Sequence, residues 1–229
     1  MSERRELKFV ASASAGEVSA IFDRPDGARW LLVFGHGAGA GMRHAFMEST
    51  SAALGAHGIA TFRYQFPYME KRTGRPDFQP ILLATVRAAV EAAHAAAPDL
   101  PLIAGGKSMG GRMTSLASSE RALPGVRGLV FFGFPLHLAG KPSTDRSQHL
   151  DAVTAPMLFL QGTRDKMADL DLVRTVAARL GDRATLQVIE GGDHSFAVLK
   201  RDGRTAKEVE DELVTTVERW ADGLPKETR

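Results

Sequence analysis

The chain has 229 residues, 44% hydrophobic and 24% charged, a composition that fits one soluble globular domain, residues 1–229, long enough to bury a full core. It contains no cysteine, which removes disulfides, zinc–thiolate sites, iron–sulfur clusters and any thiol nucleophile. The net charge is only +2 and no dense basic stripe is interleaved with aromatics, so nucleic acid is not an expected partner.

The start, "MSERRELKFV", lacks the apolar core of a secretory signal, and no run approaches the roughly 18 apolar residues of a membrane helix. The expectation is a cytoplasmic protein without a membrane partner. Histidines 36, 44, 57, 94, 137, 149 and 194 are scattered, with no H-x-x-x-H or H-E-x-x-H pair, so no metal site is expected.

Apolar runs rich in Val, Ile, Leu and Phe alternate with helical patterns, the signature of a mainly parallel sheet covered by helices. "KFVAS" and "EVSAIFD" are expected to form an antiparallel edge; "RPDGAR" turns the chain into the strand "WLLVFG", Trp30 to Gly35. A helix follows from about His44 to His57, stopped by Gly58, and then the strand "IATFRY". The Ala-rich stretch from about Gln79 to Ala97 is a crossover helix, with Pro80 in its first turn and Pro98 at its stop. "PLIAGG" is a strand running into Ser108, and a helix begins at Met109. "VRGLVFFGF" and "PMLFLQG" are the next strands, and residues 137–155 between them are too few for a lid domain. A helix capped by Asp169 and ended by Gly181 leads to "ATLQVIE". The last helix opens on a capping box, Thr205 with Glu208, and should bury Val209, Leu213, Val217 and Trp220. The sheet should have about eight strands.

Within "LIAGGKSMGGRM", the run GGKS resembles a phosphate loop, but the first glycine of G-x-x-x-x-G-K-[ST] would fall at Pro101, which has no N–H to offer. What remains is G-x-S-x-G, Gly106 to Gly110, a nucleophile elbow with Ser108 at its tip. A serine hydroxyl needs a histidine to take its proton and a carboxylate to orient that histidine. Reactive groups gather at the carboxyl ends of parallel strands. "PMLFLQGTRD" ends there in Asp165, and "ATLQVIEGGDHSF" in a glycine-rich loop presenting His194. The order Ser, Asp, His is that of the α/β-hydrolase triad. "FGHGAGAGM" can supply an oxyanion hole, with the N–H groups of Ala38 and Met109 as donors and Gly37 as the substitute for the first.

"HGAGAGM", "FRYQFPYMEKR", "GGKSMGGRM", "FPLHLAGKP", "LFLQGTRD" and "GGDHSF" together resemble the small lid-less α/β-hydrolases termed dienelactone-hydrolase-like, over nearly the whole chain. The resemblance implies Ser108, Asp165 and His194 as triad and the segment around Ala38 as oxyanion loop. Dienelactone hydrolases proper use cysteine, so a lactone substrate is not implied. Eukaryotic relatives include subunits resembling scaffolds, which keeps a non-catalytic binding module as the alternative to an enzyme. The implied reaction is cleavage of a small-molecule ester or related acyl substrate, without cofactor.

Arg63, Lys71, Arg72 and Arg75, with Phe66, Pro67, Tyr68 and Met69 among them, are candidates for a wall receiving an anionic or polar acyl group; a solvated basic loop is the competing reading. His137 and His149, in the short segment that replaces a lid, are candidate pocket edges or surface residues. Lys107 and Arg112 flank the elbow and are expected in structural ion pairs; His36 is expected to order the oxyanion turn. Asp193, adjacent to His194, is poorly directed to serve as triad acid.

Overall fold

The computed structural model describes residues 2–225. Five strands carry apolar runs with almost no alternation, β3 (Trp30–Gly35), β4 (Ile59–Tyr64), β5 (Leu102–Lys107), β6 (Val126–Phe132) and β7 (Met157–Gly162). Such runs suit parallel strands covered on both faces, and each of the five is parallel to its neighbours among them. β8 (Ala184–Ile189) adds to β7, while β1 (Glu3–Ser12) and β2 (Gly16–Arg24) make an antiparallel edge. The eight-stranded order is β1-β2-β4-β3-β5-β6-β7-β8. This is an α/β-hydrolase sheet of the expected size. β1 starts at Glu3 rather than Lys8; its outward charges hide the strand, while Leu7 and Phe9 on the other side pack on the core.

Helices α1 (Ala45–Ala56) and α6 (Ala206–Asp222) cover one face, over Trp30, Leu32, Phe34, Val130 and Leu158. On the other face lie α3 (Gln79–Ala96), α4 (Met109–Glu120) and α5 (Leu170–Leu180), over Leu31, Val33, Phe131 and Phe159. The boundaries follow local chemistry. Asp169 accepts from the N–H groups of Asp171 and Leu172, Thr205 and Glu208 form their capping box, and Gly58 and Gly181 adopt positive φ of 73° and 60°. In α6 Val209, Leu213 and Val217 are buried, and Trp220 is half-buried against the same cluster.

Four short elements had no sequence signal: the four-residue α2 (Pro67–Glu70) and the 3₁₀ segments Asp145–Ala152, between β6 and β7, Gly181–Arg183 and Lys200–Asp202. The Asp145–Ala152 segment packs on α4, tied by a 2.8 Å hydrogen bond between His149 Nε2 and Ser115 Oγ. Because β3 and β5 to β8 run parallel, the loops leaving all of them open at one edge of the sheet.

Candidate active site

Ser108 sits between the end of β5 and the start of α4 with φ 49° and ψ −112°, a conformation that costs a side-chain-bearing residue energy and persists only where the surroundings enforce it. The glycines make that possible. A Cβ on Gly106 would lie 2.3 Å from the Gly35 carbonyl oxygen, and one on Gly110 2.2 Å from the same atom. β3, the elbow and α4 therefore approach at backbone contact, which no larger residue allows.

Ser108 Oγ lies 2.8 Å from His194 Nε2, and His194 Nδ1 lies 2.7 Å from Asp165 Oδ2. A carboxylate only accepts, so Nδ1 carries the imidazole proton, and the bare Nε2 receives the serine O–H. The Asp165 side chain is fully buried. Its Oδ2 also accepts from Gln161 Nε2 at 2.6 Å, and its Oδ1 from the Met167 N–H at 2.7 Å. Gln161 in turn accepts the Phe134 N–H, which fixes the direction of its amide. The sole sequence signal for Gln161 is a polar side chain inside the apolar run of β7.

Another glycine brings the two loops together. A Cβ on Gly162 would meet the Gly192 carbonyl oxygen at 2.2 Å, so the turns after β7 and β8 touch. Asp193 does not face the imidazole ring: its Oδ1 accepts from the N–H groups of Ser195 and Ala197, which folds the His194 loop tightly. Phe196, at φ 63°, closes that loop and stacks on Phe46 at 6.1 Å.

Lys107 departs from expectation, because it forms no ion pair among the described residues. Asp165, whose charge acts on Lys107, is already committed to three donors. The ammonium instead donates to the His194 carbonyl and lies 5.5 and 5.8 Å from the ring centres of Phe196 and Phe46. Burial pushes Lys107 down to about 8, against the opposing pull of Asp165 and Asp193. Between about pH 8 and the ordinary lysine value, the unfolded chain holds a proton that the folded chain lacks, so this group makes stability rise with pH. The melting temperature of the parent relative to Lys107→Met should therefore increase from pH 7 to pH 9.5. A difference that does not change with pH would show that Lys107 titrates normally.

The turn after β3 lies beside the serine: a Cβ on Gly37 would come 3.8 Å from Ser108 Cβ. Ala38 is exposed there, and Met109 opens α4, where its N–H has no intrahelical acceptor. His36 orders the turn. Its Nε2 accepts the Phe66 N–H at 3.1 Å, so Nδ1 carries the proton and donates to the Gly37 carbonyl at 2.8 Å. Burial pushes His36 down to about 4, which keeps it neutral.

Of the side chains expected to edge the acyl pocket, Arg63, Phe66, Tyr68 and His137 are buried. Arg63 is buried on β4, donating to the Met42 carbonyl and to Asp23, which points the same way from β2. A position near a strand end does not reveal which face its side chain takes. Phe66 and Tyr68 are fully buried, their rings packed 5.0 and 6.0 Å from that of His36. His137 is buried too, with Nδ1 on the Leu138 carbonyl and Nε2 accepting the Asp169 N–H. These four side chains are interior, Phe66 and Tyr68 against the histidine that orders the turn after β3, while Lys71, Arg72 and Arg75 are exposed.

Residues 28–222 match the profile of the alpha/beta hydrolase domain. Among solved structures, a lid-less serine hydrolase of Xanthomonas campestris is 22% identical with a TM-score of 0.73, covering 99% of this chain and 97% of that one. A dienelactone hydrolase of Anabaena variabilis is 18% identical with a TM-score of 0.74, covering 98% and 99%. A Mycobacterium tuberculosis protein provisionally named a phosphoribosyl transferase is 28% identical over 196 residues, 84% of this chain. The chain spans 42% of that relative's length. With the profile covering most of its length and the fold shared with lid-less neighbours, the chain belongs to the small alpha/beta hydrolases.

Proposed function

We propose that this protein is a serine hydrolase that cleaves a small ester or related acyl bond through an acyl-Ser108 intermediate. The observation that carries the reading is the continuous hydrogen-bonded chain from Ser108 through His194 to Asp165. Ser108 Oγ attacks the substrate carbonyl carbon while its proton passes to His194 Nε2. Asp165 holds the ring and stabilises the imidazolium that forms. The negative oxygen of the tetrahedral intermediate is received by the N–H groups of Ala38 and Met109, each worth about 10² to 10³ in rate. Collapse expels the leaving group, which takes the proton from His194. A water molecule activated by the same histidine then releases the acid and restores Ser108. This chemistry needs neither metal nor organic cofactor, and we place it in the cytoplasm. The transferase name belongs to a relative more than twice as long, and the reading takes nothing from it.

Because the connection between β6 and β7 carries a short 3₁₀ segment and no helical cap, the acyl pocket is expected to be shallow and open to water. Each extra methylene strengthens binding by about 0.8 kcal/mol only where it leaves water. Among p-nitrophenyl esters, kcat/KM should peak at acetyl to butyryl and fall beyond. A steady climb to octanoyl or decanoyl would contradict the open pocket.

A further inference from the structure

Arg112 and Ser115 are three residues apart on the face of α4 that meets the 3₁₀ segment, and Ser108 is the N-cap of the same helix. Side chains on a helix lean toward its N-terminus, which tilts Arg112 toward the elbow. The Arg112 N–H donates to the Ser108 carbonyl at 3.1 Å, so its side chain begins one turn from the elbow. A guanidinium on that stem stays within reach of a group bound to Ser108.

The surroundings of Arg112 are unbalanced in charge. Arg146, from the 3₁₀ segment, is close enough to push it below the ordinary arginine range, after burial, the larger cause. Among the described residues neither guanidinium has a carboxylate at ion-pair distance. Asp151 pairs with Arg179, Asp145 is exposed, and Asp169 caps α5. Arg146 reaches only the carbonyls of Pro135 and His137, at 3.5 Å each. Arg112 Nε is buried with no hydrogen-bond partner. His149 stays a neutral imidazole, since burial, then Arg112, pushes it down to about 4. Two guanidinium groups held together, one with an unmet buried donor, are costly unless an anion joins them.

We propose that Arg112 and Arg146 form an anion-binding subsite for the acyl half of the substrate, which makes the substrate an ester whose acyl chain ends in a carboxylate. The side of the site selects the acyl half. The His194 loop, which protonates the leaving group, packs through Phe196 onto α1, whereas Arg112 lies on α4, across the sheet. Guanidinium and carboxylate match in charge and in their paired hydrogen-bonding edges. A glutarate half-ester carries such a carboxylate at the far end of its acyl chain.

This inference rests on the serine hydrolase reading, and its test separates the two. Compare kcat/KM for the p-nitrophenyl ester of glutaric acid with that of its neutral monomethyl glutarate counterpart, in the parent, Arg112→Gln, Arg146→Gln and Arg72→Gln. Alongside, measure fluorophosphonate labelling of Ser108. The parent should favour the anionic ester at least tenfold at low salt, and less as salt rises. That ratio should fall toward one in Arg146→Gln, which alters a half-exposed residue, and in Arg112→Gln wherever that variant folds, while Arg72→Gln keeps it. A parent that labels normally but shows no preference overturns the subsite and leaves the hydrolase reading standing. A ratio kept in Arg146→Gln and lost in Arg72→Gln also overturns it, by moving recognition to the exposed loop. If the parent fails to label, the hydrolase reading itself falls, and the subsite then stands only if glutarate binds the parent and not Arg146→Gln in calorimetry.

Discussion

Ser108→Ala is expected to melt like the parent and to lose about 10⁶ in kcat, the order seen when a serine hydrolase loses its nucleophile. The fold should survive because the side chain lost is small and its one strong partner, His194, keeps its bond to Asp165. The strained backbone at 108 is imposed by the contact of Gly106 and Gly110 with β3, which the substitution leaves intact. Any remaining rate would come from the oxyanion donors and from substrate positioning. Circular dichroism and p-nitrophenyl acetate hydrolysis check both halves, and a variant retaining a tenth of the activity would remove Ser108 from the mechanism.

The second large effect belongs to Asp165. In Asp165→Asn an amide replaces the carboxylate between Gln161 and His194. Asn Nδ2 can donate to His194 Nδ1, which shifts the imidazole proton to Nε2 and leaves Ser108 without a base. The corresponding change in a serine protease costs about 10⁴ in kcat, and a loss of that order is expected here. Asp193→Asn keeps an acceptor oxygen for the Ser195 and Ala197 N–H groups and should cost less than about tenfold, within the range of a modest hydrogen-bond change. Steady-state kinetics of the two variants decide the matter. The reverse ranking would make Asp193 the acid.

The contrast between these neighbours shows what the sequence could reveal. Ser108, Asp165 and His194 were readable because each ends an apolar run, and parallel strands deliver such ends to one edge. The glycines at 106 and 110 were readable because an elbow tolerates nothing larger. Whatever depends on the direction of a side chain was hidden. Arg63 is next to a loop in sequence yet turns into the sheet toward Asp23, and Lys107 lies under the His194 loop without a carboxylate partner. Gln161 looked like an ordinary strand residue until β6 and β7 were paired, which sets its amide between Phe134 and Asp165. Arg112 and Arg146 are separated in the chain by the rest of α4 and by β6, and the docking of the 3₁₀ segment on α4 brings them near one another. The 3₁₀ segment itself, mostly polar and without helical periodicity, gave no pattern to read.

The central claim is that Ser108 is an activated nucleophile. Only a serine whose proton is being withdrawn reacts rapidly with a fluorophosphonate. The most direct measurement is therefore treatment of the native protein with such a probe, digestion, and mass spectrometry of the modified peptide. The account predicts a single rapid adduct on Ser108, absent from Ser108→Ala and greatly slowed in His194→Ala. No adduct on the native protein, or a rapid adduct on another serine such as Ser115 or Ser195, would contradict it.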